Sequence, residues 1–451
     1  MPPDCFIGVD VGTSGCRVLA IDADAGVLAR AEAALPPPRR VGAHGVEQDP
    51  WLWWRALRRV LRDLAARLRR HRPAALCLDG TSATVLLAAP DGNPLGPALM
   101  YNDARSRAEA DRVARQAPGD APARGPTSSL AKCLHLSARV NPPSGSLVLH
   151  QADWLLGRLT GRFGVSDWNN ALKLGYDPAR ECWPGWLSGL GLELIRLPRV
   201  FPPGTPVAGL SPESARATGL PDGMRVAAGT TDSTAAVLAT GIRRQGDAVT
   251  CLGSSLVLKI LAPGPVTSPP HGVYSHRFGG LWLVGGASNS GGAVLRRFFT
   301  DAQMAELSRR LRPEQPSGLD YYPLPAPGER FPVSSPDLAP RLTPRPEDDL
   351  RFFQGLLEGI AAIEAEGYRL LHALGAPAPT RVLTIGGGAG NQGWERIRQR
   401  LLGVAVTAAR HRDAAYGSAL LALASSRGSD AAPYRHPCSF GASPPGVAAQ
   451  R

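Results

Sequence analysis

Four short stretches of this chain combine residue types that could do chemistry with backbone able to approach a ligand. The first is Asp10 followed by Gly12-Thr13-Ser14-Gly15, inside FIGVDVGTSGCRVLAID at residues 6–22. Gly12 and Gly15 allow a tight turn and close approach to a bound group. Backbone N–H groups in such a turn, with the hydroxyls of Thr13 and Ser14, make a concave set of donors suited to phosphate oxygens. Asp10 ends the preceding apolar run and aims at the same space. Phosphates would repel its carboxylate unless a metal ion or a substrate hydroxyl lay between. For D-x-G-T standing alone, an ordinary surface hairpin is the alternative.

The second stretch is Gly229-Thr230-Thr231-Asp232-Ser233, between a strand-like run and a small-residue helix. Asp232 falls at or near that helix's N-terminus, where free N–H groups and the dipole favour its charged form. A plain capping aspartate is the alternative. The third stretch, Gly253-Ser254-Ser255 within DAVTCLGSSLVLKIL, echoes the first hairpin and suggests an internal duplication. Two such hairpins imply two related domains facing a shared cleft, a favoured place for ligands.

The fourth stretch is the glycine loop Gly386 to Gly390 with Asn391. Gly388-x-Gly390-x-x-Gly393 matches the dinucleotide fingerprint, with Asp413 about 20 residues on. That fingerprint normally opens a doubly wound domain with further β-α units, whereas one strand and one helix follow here. A glycine loop at a helix N-terminus serves equally well for the flat face and sugar of an adenine nucleotide.

The elements that must position these residues follow from periodicity and punctuation. Residues 6–22 read as a hairpin and 36–49 as a Pro/Gly-rich loop. Asp49-Pro50 starts a helix, Asp capping and Pro in the first turn. Trp51, Trp54, Leu57, Leu61, Leu64 and Leu68 give that helix one buried face. A second strand region, 75–95, breaks at Asp79-Gly80-Thr81-Ser82. Asp103 and Arg105 either reach a substrate or pair with each other. Residues 176–224 read as connection, placing a domain boundary at 224/225. Asp348/Asp349 begin a long helix that closes at Gly375, and the tail from about 428 frays.

Composition excludes several classes. The 451 residues suggest two or three domains, and 43% hydrophobic with 20% charged residues fits a soluble globular protein. No apolar run reaches the roughly 18 residues of a membrane span, and the N-terminus lacks the pattern of a signal peptide. The net charge of +12 is not read as a nucleic-acid footprint: of 50 basic residues only Lys132, Lys173 and Lys259 are lysines, and the arginines are dispersed. Seven cysteines without a C-x-x-C pair indicate reduced thiols and a cytoplasmic address. Nine histidines show no metal-ligand spacing, and no zinc is expected.

In order, D-x-G-T, D-G-T-S, N-D-x-R, G-T-T-D, L-G-S-S and G-G-G-A-x-N resemble the FGGY family of carbohydrate kinases over essentially the whole chain. The resemblance implies two actin-like (ribonuclease-H-like) α/β domains around a central cleft, here 1–224 and 225–451. It implies ATP and Mg²⁺ as cofactors and a small sugar as partner, with neither nucleic acid nor membrane involved. LDGTSATVLL, SSLAK, NALKLGY, AGTTDS, LGSSLVLK and GVYSH are most similar to cyanobacterial and plant xylulose-kinase-like proteins, which resemble D-ribulose kinases.

By the same resemblance Asp232 is the catalytic base, and Asp10, Ser82 and Asp232 bind substrate. Asp10 also holds the metal. Thr13, Ser14, Gly15 and Arg17 lie at the phosphates, with Ser254 clamping from the second hairpin. Gly387, Gly388 and Asn391 line the adenine–ribose pocket, and Trp394 forms its wall or belongs to the core. Many glycerol kinases carry Arg-Glu, and many xylulose kinases Met-His, where this chain has Thr81-Ser82. Small hydroxyls leave room for a pentulose. The expected activity is phosphorylation of D-ribulose to D-ribulose 5-phosphate. The alternatives are a D-xylulose or polyol kinase, or a sugar-independent, nucleotide-switched ATPase of the actin-like fold.

Overall fold

The structure, a computed structural model, describes residues 2–427. The strand Asp4–Val11 is buried at every position after Asp4, so its sequence reads as a continuous apolar run rather than an alternation. It pairs antiparallel with Gly15–Ile21, which pairs antiparallel with Val27–Ala34. On its other side it pairs parallel with Arg72–Gly80, which pairs parallel with Arg225–Thr231. The second half repeats this pattern. Asp247–Leu252 pairs antiparallel with Leu256–Ala262, and that with Leu281–Ser288. Asp247–Leu252 also pairs parallel with Arg381–Ile385, which pairs parallel with Ala405–Ala408. The duplication heard in the two hairpins is therefore a duplication of whole sheets, and the two-domain α/β architecture is the one expected.

Two expectations need correction. The sheet of the first half continues through Arg225–Thr231, past the division at 224/225, because that strand hydrogen-bonds to Arg72–Gly80. The stretch 36–49 is not all loop. Arg39–Val41 and Gly45–Gln48 form a short antiparallel pair at the edge of a further six-stranded sheet. The helix expected after Asp49 is Pro50–Arg67, with Trp51 N–H donating to Asp49 Oδ1 at 3.0 Å. Its buried face carries Trp53 as well as Trp54, Leu57, Leu61 and Leu64, while Trp51 lies at the rim. The long helix is Asp349–Ala373, capped by Asp348. The tail from 428, with Cys438, lies outside the described residues. Among the described residues, no helix is long and apolar enough to cross a membrane.

The last helix, Ala414–Ser426, lies directly on the strand that carries Asp10. A Cβ at Gly8 would stand 1.8 Å from the Ala415 carbonyl oxygen and 2.3 Å from the Ala419 nitrogen. A Cβ at Gly417 would stand 1.9 Å from the carbonyl oxygen of Ala235, in the helix Asp232–Ala239 that Asp232 opens. Two glycines thus let the helix touch both elements that carry the key acids. Gly8→Val is expected to lower the thermal unfolding midpoint through an overpacking cost of about 1–3 kcal/mol. Gly96→Ala, where an added Cβ meets nothing within 4 Å, is the control and should change little. Equal midpoints for the two variants would refute the close-packing account.

Candidate active site

The first hairpin closes with Gly12 N–H donating to the Gly15 carbonyl at 2.9 Å, leaving Thr13 and Ser14 at the tip. Asp10 sits opposite Arg17 in the register, and Arg17 Nη1 contacts Asp10 Oδ2 at 3.3 Å. Arg17 is itself half exposed and also lies 3.8 Å from Glu32. Burial pushes the Asp10 carboxyl above its ordinary range, against the pull of Asp79 and Arg17.

Three acids come together from three neighbouring parallel strands. Asp10 stands level with Asp79, and Asp79 with Thr230, two residues before Asp232. All three lie near or just past the carboxyl ends of their strands, where open α/β sheets present ligands. Asp79 is fully buried and accepts a hydrogen bond from Ser418 Oγ at 2.6 Å, which ties the last helix to this point. Burial and the neighbouring Asp10 charge raise the Asp79 carboxyl well above the usual carboxylate range. Sequence reasoning quoted Asp79 without giving it a role. Its pairing with Asp10 appears only once the two strands are known to be parallel and in register.

Asp232 is the first residue of the helix Asp232–Ala239, and its Oδ1 accepts from the Ser233 N–H at 2.6 Å. It is partly exposed at the surface of the cleft. Enclosure by protein pushes its pKa up to about 6, with Asp10 adding to the rise; the Ser233 N–H, Lys173 and the Ser82 N–H oppose it. The Ser82 backbone therefore reaches the Asp232 carboxylate. The loop that presents it is held firmly. Ala83 adopts φ +63, and the fully buried Lys132 donates from Nζ to the carbonyls of Ala83 at 3.0 Å and Met100 at 2.7 Å. Thr81 faces the other way, with Oγ1 2.8 Å from Gln151 Oε1 and 2.6 Å from Thr84 Oγ1. Of the Thr81-Ser82 pair, Ser82 turns its backbone N–H toward Asp232.

Asp103 and Arg105 pair with each other rather than facing the acids. Asp103 Oδ2 accepts from the Val46 N–H at 2.7 Å and from Arg105 Nε at 2.9 Å. Arg105 continues to Glu47 at 3.3 Å. The N-D-x-R motif thus fastens the strand Gly45–Gln48, one in from the sheet's edge.

In the second half a cavity of about 440 Å³ is lined by Gly253, Ser254, Gly387, Gly388, Asn391 and Trp394 together with Met304 and Ser308. Ser254, Gly387, Gly388, Asn391 and Trp394 are residues expected around the nucleotide; Gly253, Met304 and Ser308 are not among them, the last two coming from the helix Asp301–Arg310. Gly387 leaves open space where a side chain would stand, so its backbone fronts the cavity. A Cβ at Gly388 would come within 2.8 Å of both Leu252 and Trp394. Trp394 is only 3% exposed and donates from Nε1 to the Leu357 carbonyl at 3.1 Å, so it is a packed wall rather than a free platform. Asn391 is engaged as well. Its Oδ1 caps the helix Gln392–Leu402 at the Trp394 N–H, 3.0 Å, and its Nδ2 donates to Ser308 Oγ at 2.8 Å. Asp413, the acid of the fingerprint, caps Ala414–Ser426 and pairs with Arg30 at 3.4 Å.

Comparison with known proteins agrees with this geometry. Residues 5–124 match the N-terminal domain of the FGGY family of carbohydrate kinases, and residues 248–426 match its C-terminal domain. The chain is 29% identical over 463 residues to a xylulose kinase of Streptomyces rubiginosus, covering 94% of this chain and 89% of that one. It is 26% identical over 411 residues to a xylulose kinase of Escherichia coli K12, covering 87% and 84%. A crystal structure of a xylulose kinase from Brucella ovis superposes with a TM-score of 0.85 at 24% identity, covering 95% of this chain and 91% of that one. With repeated sheets, two glycine-hydroxyl hairpins and both family domains matched in order, the chain belongs to the FGGY family of carbohydrate kinases.

Proposed function

We propose that this ATP-dependent sugar kinase phosphorylates a pentulose, D-ribulose to D-ribulose 5-phosphate, with Asp232 as the base that accepts the proton of the attacked hydroxyl. The observation that carries this reading is Asp232 itself. It is a partly exposed carboxylate at a helix start, held by the Ser233 N–H and acted on by Asp10, with a raised pKa. A base near neutrality that can reach a hydroxyl suits proton acceptance. Phosphoryl transfer has a loose transition state, so positioning and charge neutralisation count for more than deprotonation. We assign Thr13, Ser14, Gly15 and Arg17 to the β- and γ-phosphates, with Ser254 opposite. Gly387 and Gly388 front the adenine and ribose, with Asn391 and Trp394 shaping that wall.

Asp10 suits Mg²⁺. Three carboxylates, Asp10, Asp79 and Asp232, crowd one another with Arg17 as the basic partner of Asp10. One carboxylate joined by substrate phosphates is a common way of holding this ion. Bound there, Mg²⁺ would neutralise charge on the phosphates. The six cysteines of the described residues are free thiols, which supports a reducing compartment.

Ser82, with its short side chain, supports D-ribulose. The names of the relatives favour D-xylulose as the second reading. An ADP-release assay with D-ribulose, L-ribulose, D-xylulose, glycerol or no sugar decides between them. Strong stimulation by D-ribulose is the expected result. Stimulation by D-xylulose or glycerol alone would overturn the sugar assignment, and turnover indifferent to every sugar would overturn the pentulose reading.

A further inference from the structure

Outer strands of the second half carry basic and titratable side chains that the roles above do not use. Lys259, Gly285 and Tyr274 stand in register across Leu256–Ala262, Leu281–Ser288 and Tyr274–Phe278. Gly285 is the reason the outer two meet. A Cβ there would stand 2.4 Å from Lys259 Cδ, so its absence leaves a trough along which the lysine crosses the middle strand. Lys259 Nζ ends 5.6 Å from the centroid of the Tyr274 ring. From the first half, Lys173 reaches the same ring, with Nζ 5.3 Å from its centroid. His276 lies two residues along on the same face, its ring 5.2 Å from that of Tyr274. It is 2% exposed, and neither ring nitrogen has a hydrogen-bond partner.

Within this group Lys259 and His276 lack an anion. The charges acting on Lys259 come from Tyr274 and Lys173, with no carboxylate among them, and Arg330 adds positive charge at Tyr274. An enclosed ammonium group without a carboxylate partner is costly, and Lys259 beside an unpartnered histidine is a site with a ligand to gain. Lys173, Lys259 and Tyr274 each remain partly exposed to solvent. Four residues before Lys173, Asn169 donates from Nδ2 to Thr230 Oγ1 at 3.0 Å, which ties this segment to the strand that leads into Asp232, and the Lys173 charge acts on the Asp232 carboxyl.

We infer that Lys173, Lys259, Tyr274 and His276 form an oxyanion site beside Asp232 that receives an anionic group borne by the sugar. That group is either the phosphoryl group once transferred or a carboxylate the acceptor already carries. The source of the anion rests on the kinase reading; the binding of an oxyanion does not. The two lysines come from opposite halves, so occupancy would also hold the halves together.

Inorganic phosphate, titrated by calorimetry into the intact protein without nucleotide or sugar, tests the site. Saturable binding is expected, weakened about tenfold or more in Lys259→Met and in Lys173→Met, as loss of a charged hydrogen-bond donor implies. ADP binding on the same samples verifies the fold. Lys173→Met, in a turn of the other half, stands as an independent test should Lys259→Met fail to fold. Absent phosphate binding, or equal affinity in the variants, overturns the inference whether or not the protein phosphorylates a sugar. Two arms with ATP then name the source. A KM that rises in Lys259→Met for a five-carbon aldonate, but not for the neutral ketose, identifies the acceptor's own carboxylate. Weaker inhibition by the ketose 5-phosphate, with both KM values unchanged, identifies the transferred phosphoryl group. Phosphate binding with neither change overturns the assignment to a sugar-borne group.

Discussion

Asp232→Ala is expected to lower sugar-dependent turnover by about 10²–10⁴-fold, the usual loss for a positioned general base. ADP affinity should hold, because the cavity proposed for the nucleotide is built from the second hairpin, the glycine loop and the helices around them, not from Asp232. The pH profile is the sharper test. Burial, with Asp10 nearby, pushes the Asp232 pKa up to about 6. A base works in its deprotonated form, so kcat/KM should rise with pH through about 6 and level above it. The acid limb should vanish from whatever activity Asp232→Ala retains. The same shift opposes stability. A carboxyl whose folded pKa is raised favours the folded state fully below its unfolded pKa and loses that contribution as pH rises through the folded one. Asp232→Asn, which carries no charge to enclose, should therefore unfold at a higher temperature than the native protein at pH 8 while being nearly inactive. A turnover loss below tenfold, or an acid limb unchanged in Asp232→Ala, would remove Asp232 from the role of base.

Local chemistry was legible in the sequence wherever a motif and its element coincide. Asp10 with its hairpin, Asp232 at a helix start, the Asp49-Pro50 helix entry and the second hairpin all stand where their neighbours along the chain imply. Long-range pairing was not legible. Arg225–Thr231 looks like the start of a second domain because the strand it joins, Arg72–Gly80, ended well over a hundred residues earlier. Parallel strands leave no turn between them to announce the partnership. Asp79 was missed for the same reason: only the register shows that it faces Asp10.

Side-chain direction was the second blind spot. Thr81 and Ser82 are adjacent hydroxyls, yet the Thr81 hydroxyl turns to Gln151 while Ser82 faces Asp232 with its backbone N–H. Trp51 and Trp53 differ by two positions, and the deeper burial of Trp53 follows from its place in the row with Leu57, Leu61 and Leu64. Lys259 and Tyr274 meet across Gly285, a relation that spacing along one strand cannot express. Asn391 and Trp394 line the expected cavity, but much of their bonding capacity goes into building it.

That building work concentrates on one residue whose loss should be large. Arg398 is 1% exposed and forks onto Glu364, with Nε 2.6 Å from Oε2 and Nη2 2.7 Å from Oε1. Its Nη1 donates to Thr384 Oγ1 at 2.7 Å. Glu364 also accepts from Thr250 Oγ1 at 2.5 Å, and Thr250 meets the Tyr368 hydroxyl at 2.9 Å. One buried network thus joins the strands Asp247–Leu252 and Arg381–Ile385 to the helices Asp349–Ala373 and Gln392–Leu402, the elements that frame the cavity proposed for the nucleotide. Arg398→Met leaves the Glu364 charge enclosed without its partner, at an expected cost of about 3–5 kcal/mol in chemical denaturation. KM for ATP should rise with it, since Trp394 and Asn391 lie on the same helix or its cap. Removing both charges is a different matter. A buried ion pair replaced by apolar side chains of similar volume is often close to neutral, because neither ion then has to leave water. Arg398→Met combined with Glu364→Leu should therefore regain most of the lost stability and much of the ATP affinity. A single variant costing less than about 1 kcal/mol would show that the pair contributes little to the frame of the cavity, and a double variant as unstable as the single would show that the hydroxyls of Thr250 and Thr384, not the enclosed charge, set the cost.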